Sequence, residues 1–188
     1  DIKRLNERNA SDYLAEIEAG DLSDAFWNSV LPGHLESPVM SSPFFGVFLA
    51  AQANANDHGL FSRHLTVNDM LLTRGDVHHI FPRSLLKKNG LGRSLYNRVS
   101  NLVYMDQPGN IKIGDKTPAV YFTTVADKLE QGKGDIGGLR NMADLRKNMR
   151  ENCIPTAIFD YDVKSYQTFL EERKHLMAQK IKGYYEGL

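Results

Sequence analysis

The chain of 188 residues holds a single cysteine, Cys153, so no internal disulfide can staple it. Nothing at its start reads as a charged-then-apolar secretion signal, and a reducing, cytoplasmic compartment is the expectation. No run approaches the ~20 consecutive apolar residues of a membrane helix, the longest candidate being Phe44 to Ala51. Net charge is missing as well. The 23 basic and 23 acidic side chains cancel, so any pull toward nucleic acid must come from local patches. Repeats and low-complexity tracts are absent. What is there, 41% hydrophobic and 24% charged residues, is the profile of a globular chain with a core. That excludes a disordered tail, a collagen-like fibre and a disulfide miniprotein. The first residue is Asp1 rather than methionine, in a polar helix-like pattern, which reads as a piece of a longer protein.

Proline, glycine and hydroxyl residues divide the chain. Ser11 stands where an N-cap would, ahead of a helix over 12–19 that Gly20 closes, and a second helix is expected over 22–31. Pro32, Gly33, Pro38, Ser41, Ser42 and Pro43 punctuate a loop. Residues 44–55, apolar nearly all round, then predict a buried helix. Thr66 caps a helical turn running to Leu72. The run GDVHHIFP, 75–82, is β-branched, aromatic and stopped by proline, which predicts a strand. A brief helix over 84–88 breaks at Asn89-Gly90, and 102–105 reads as another short strand. Thr117-Pro118 combines an N-cap with proline at the first helical position, opening a helix to about Gln131. Gly132, Gly134, Gly137 and Gly138 read as a flexible joint. A basic amphipathic helix is expected over 139–152. The last segment carries Val163, Tyr166, Leu170, Met177, Ile181, Tyr184 and Leu188 at three- and four-residue spacings, with Arg173 alone interrupting the stripe. The fold class is α+β, mostly helical.

The sharpest chemical feature is the adjacent pair His78 and His79 at the end of the first strand. Neighbours on a strand project to opposite sides, so one imidazole can ligate a metal while the other faces water or phosphate. Asp76 shares the His78 face, and Asn101 and Asn110 follow downstream. Oxygen-rich ligands with one imidazole favour Mg²⁺ or Mn²⁺ over structural zinc. A hydrogen-bonded turn without catalysis explains the same residues at this level. Cys153, beside Pro155, is expected to be a buried small residue, and His34, His58, His64 and His175 carry no assignment. Between Arg74 and Met105 lie Arg74, Arg83, Lys87, Lys88, Arg93 and Arg98 against the lone acid Asp76. Arg140, Arg146, Lys147 and Arg150 form a second basic run. Phosphate contacts of this kind give salt-dependent, sequence-independent binding, although a basic helix face is equally a solvated surface.

The stretches DVHHIFPRSLLKKNG and NRVSNLVYMDQPGNIKIGDKTPAVYF resemble the HNH, or ββα-metal, nuclease motif as carried by the C-terminal domains of GmrSD-type modification-dependent restriction enzymes and related phosphorothioate-sensing phage-defence proteins. The match covers about fifty residues closely, and the closing FLEERKHLMAQKIKGYYEGL looks like the terminal helix of those proteins. The resemblance implies a helical scaffold over 1–72, an HNH core over 73–131 and C-terminal helices over 132–188, joined in one unit. It implies His78 as a metal ligand, His79 as the general base and Asn101 as the residue that holds the loop by hydrogen bonds. Asn110 becomes the second protein ligand and Asp76 an auxiliary one. Lys112 and Lys116 join Arg83, Lys87, Lys88, Arg93 and Arg98 as candidate DNA contacts.

The implied activity is Mg²⁺- or Mn²⁺-dependent, weakly sequence-selective DNA cleavage in restriction or phage defence. A single site nicks unless the chain forms a homodimer. An unperturbed His79 would make the rate rise through a pH of roughly 6.5. The family joins this domain to an N-terminal nucleotide-hydrolysing sensor domain. Three rivals stay open: a catalytically silent DNA- or partner-binding module, an RNA nuclease, and a purely structural interaction domain.

Overall fold

A computed structural model describes residues 9–105, 113–132 and 136–188. Its sheet is one antiparallel pair, Val77–His79 (β1) against Leu102–Tyr104 (β2), in the register Val77 to Tyr104, His78 to Val103 and His79 to Leu102. Around it the described residues form the α-helices α1 (Ala10–Asp21), α2 (Leu31–His34), α3 (Pro43–Asn54), α4 (Val67–Leu72), α5 (Arg83–Lys88), α6 (Arg93–Tyr96), α7 (Pro118–Glu130) and α8 (Met142–Glu151), followed by α9 (Tyr166–Glu186). The described chain is thus mostly helical with a small sheet. None of these helices is long and apolar enough to cross a membrane.

Alternation along β2 organises the core. Leu102 faces a cluster with Trp27, Leu31, Phe45, Phe48, Met177 and Ile181, while Val103 faces a larger one with Phe61, Phe81, Tyr121, Phe122, Phe169 and Leu170. Helix α9 serves both clusters, Phe169 and Leu170 in one and Met177 and Ile181 in the other. Between them lies Arg173, with no exposed surface. Its Nη1 donates to the carbonyls of Ser100 (2.7 Å) and Leu102 (2.8 Å), and its Nη2 to that of Asn152 (3.2 Å). The interruption in the apolar stripe is therefore a brace on the strand. No carboxylate faces this guanidinium at ion-pair distance among the described residues, and burial brings its pKa down to about 10.

Local signals placed most boundaries. Thr66 and Asp69 form a full capping box at α4, and Pro118 opens α7 as the Thr117-Pro118 pair required. Several expectations need correction. The first helix is capped by Asn9, which accepts from the Ser11 amide, rather than by Ser11; it passes Gly20 to end at Asp21 and buries nothing. The second does not stop at Leu31: a π turn over Phe26–Val30 runs into α2, where Pro32 takes a first-turn position at which its missing N–H costs nothing. Helix α3 is one-sided, burying Phe45 and Phe48 but leaving Val47 42% exposed. Helix α8 starts at Met142, because Asn141 accepts from the Asp144 amide as its cap.

The glycine joint is also corrected. Gly137 and Gly138 have φ of 57° and 83°, and a Cβ on Gly137 would meet the Phe61 carbonyl oxygen at 1.9 Å. These glycines permit a close packing against 61–64, where the Arg63 amide donates to the Gly137 carbonyl at 2.8 Å, and are not a hinge. Gly134 lies outside the described residues.

Candidate active site

The strand end that carries the histidines is fixed by Asn101, which is fully buried. Its Oδ1 accepts from the Phe81 amide (2.8 Å), and its Nδ2 donates to the carbonyls of Phe81 (3.1 Å) and Tyr96 (3.0 Å). Its own carbonyl accepts from the Ile80 amide at 2.9 Å. Every polar atom of the amide is thereby used. Tyr121 adds a phenolic hydrogen bond to the Ile80 carbonyl at 2.8 Å. The backbone just after His79 is consequently tied on three sides.

His78 and His79 pair with Val103 and Leu102 across the two strands, and both line one cleft of about 510 Å³. Arg83, Ser84 and Lys87 from α5 complete its polar wall, with Ile113 and Gly114 beyond. Both imidazoles are half-buried. Desolvation is the main force lowering the pKa of each; the Asp76 carboxylate opposes it at His78, and the Asn97 hydrogen bond opposes it at His79 while the Arg83 charge reinforces it. Both rings are therefore held neutral at pH 7, with a lone pair each. His79 Nε2 lies 3.0 Å from Asn97 Oδ1, and its ring meets the edge of Tyr96 with centroids 6.1 Å apart. Tyr96, buried, also stands beneath the cations of Arg83 (5.6 Å) and Lys87 (5.9 Å), steering both along the cleft wall.

The cationic candidates separate into two groups. Arg83, Lys87, Arg93 and Arg74 are exposed and make no ion pair among the described residues, and neither does exposed Lys116. By contrast Arg98 is directed to Glu36 at 3.3 Å, and Lys88 to Asp115. The second basic run is partly neutralised in the same way, Arg140 by Asp144 and Lys147 by Glu151 at 3.4 Å each. Asp76 is exposed on the His78 side. Asn110 and Lys112 lie outside the described residues. Among the described residues no three His, Cys, Asp or Glu side chains gather as a metal cluster.

Sequence reasoning did not single out Asn97 or Tyr96, and no local pattern marks them: one acts on a ring 18 positions away, the other through its face. A larger cavity of about 710 Å³ lies between α8 and α9 by Arg150, Pro155, Glu172, His175 and Lys180, but it is mostly apolar and brings no two imidazoles together. The cleft at the histidine pair brings two imidazoles together beside the cations Arg83 and Lys87. Comparison with protein-family models, curated proteins and solved structures finds no match for this chain.

Proposed function

We propose that the chain is a metal-dependent DNA endonuclease, with His79 as general base and His78 as a metal ligand. The observation that carries the reading is the shared cleft, in which two neutral imidazoles stand beside the cations Arg83 and Lys87, which have no ion pair among the described residues. Phosphodiester hydrolysis needs those parts: a base for water and positive charge to hold the phosphate in line. Water attacks phosphorus and its proton passes to His79. The bond from phosphorus to the 3′ oxygen breaks, and that oxygen takes a proton from solvent, leaving a 3′-hydroxyl and a 5′-phosphate.

The donor set suits a hard divalent cation. His78 supplies a neutral imidazole, Asp76 a carboxylate close enough to act on it, and Asn110 would add an amide oxygen. Two or three such ligands match Mg²⁺ or Mn²⁺ keeping several of its own waters, and not the closed thiolate cage of structural zinc. When bound, the ion supplies charge neutralisation at the phosphate and the leaving oxygen. The resemblance extends the proposal to restriction or phage defence, beside an N-terminal nucleotide-hydrolysing domain, with nicking as the product of one site and double-strand cutting as that of a homodimer.

The test uses end-labelled duplex DNA and an RNA strand of the same sequence, each incubated with the chain in Mg²⁺, in Mn²⁺ and in EDTA. Metal-dependent DNA fragments bearing 5′-phosphates support the proposal. DNA bound but intact in every condition supports the silent module instead, and cutting confined to the RNA reassigns the substrate.

A further inference from the structure

A closed circuit of bonds joins His79 to Asn97. From His79 the main chain runs through Ile80 to Phe81; Phe81 is bonded in both directions to the Asn101 side chain; Asn101 Nδ2 then donates to the Tyr96 carbonyl at 3.0 Å. Tyr96 is followed by Asn97, whose Oδ1 returns to His79 Nε2 at 3.0 Å. The Asn97 amide is held to the Arg93 carbonyl at 3.1 Å at the end of α6. Two fully used buried groups thus set the distance between an amide oxygen and one imidazole nitrogen, without help from any ligand.

A neutral imidazole has one donor and one acceptor nitrogen, so an amide oxygen at Nε2 requires the proton to be there. We propose that Asn97 is a positioning residue that locks His79 in its Nε2-protonated tautomer and leaves Nδ1 as the nitrogen that takes the proton from water. The idea rests on the nuclease reading for its functional meaning, while the tautomer itself does not depend on that reading. An opposite amide orientation would present Nδ2 to the ring and demand the other tautomer. Aspartate at this position can only accept, so Asn97→Asp separates the two.

The experiment records long-range proton–nitrogen correlations of ¹⁵N-histidine in the full chain without metal, at about pH 8.5, two units above the ordinary imidazole value. Wild type and Asn97→Asp are expected to show a protonated Nε2 at His79, and Asn97→Leu a mixture, with unchanged His78 signals reporting an intact fold. In nicking assays Asn97→Leu should lower kcat by about 10–100-fold, with KM for DNA unchanged, and Asn97→Asp should recover most of that loss. A protonated Nδ1 in wild type, or a tautomer unmoved by Asn97→Leu, overturns the proposal. Because the spectra need no activity, an inactive wild-type chain would refute the nuclease reading and leave the Asn97 assignment standing on its own result.

Discussion

Asn101 and Phe81 are bonded in both directions, amide to side-chain oxygen at 2.8 Å and side-chain nitrogen to carbonyl at 3.1 Å, across 20 positions of sequence. This pairing ends β1 and aims the residues before it at the cleft. Asn101→Ala strands the Phe81 amide and two carbonyls in a dry interior, where each orphaned group costs about 1–3 kcal/mol. A loss of about 3 kcal/mol or more is expected as a lower urea midpoint at unchanged slope. Asn101→Asp, which keeps the acceptor but not the donor, should also be destabilised.

Arg173 gives a second stability prediction. Arg173→Ala removes three hydrogen bonds to main-chain carbonyls of Ser100, Leu102 and Asn152 and leaves a cavity between the two halves of the core. Thermal unfolding should show a cost of about 3–5 kcal/mol. Arg173→Met, which fills the space without a buried charge, should recover part of the loss.

The cations predict a selective effect on DNA binding. Arg83→Ala and Lys87→Ala each remove a charge on the cleft wall that no acid among the described residues pairs, and should each reduce the slope of log K against log salt by about 1. Arg98→Ala, removing a charge already spent on Glu36, should leave that slope unchanged. Fluorescence anisotropy of a labelled duplex across a salt series reads both outcomes. Equal effects from all three would overturn the division.

Cys153 is buried, and burial pushes its thiol up to about 11. An unfolded thiol ionises from about pH 8.5, so between these values the unfolded chain releases a proton the folded one keeps. Stability falls as pH rises through that window. Cys153→Ala should show a shallower decline between pH 8.5 and 10 than wild type, and native Cys153 should resist a thiol reagent that labels it at once in denaturant.

Much of this arrangement is legible in the sequence where the cause is local. The Thr66 to Asp69 box and the Thr117-Pro118 start each act within a few residues. The same reach explains the misses. Arg173 reads as an interruption because its acceptors lie far along the chain, Asn152 at 21 positions and Leu102 and Ser100 at more than 70, and Arg98 reads as a DNA contact because Glu36 is 62 positions back. Asn148 donates to Gly59 and Ser62 across more than 80 positions, clamping a loop whose Leu60 amide donates to the Tyr104 carbonyl at the end of β2. Periodicity and spacing carry no trace of such contacts. Gly137 and Gly138 read as a hinge for a related reason, since the same residue serves a hinge or a tight approach and only the neighbour decides.

The most direct measurement compares conversion of supercoiled plasmid to open circle by wild type, His79→Ala and His175→Ala in Mg²⁺, His175 being an exposed histidine on α9 away from the cleft. Wild type and His175→Ala should nick at equal rates, with His79→Ala slower by about 10²–10⁴-fold. Cutting by His79→Ala at the wild-type rate would contradict the assignment of this cleft as the active site.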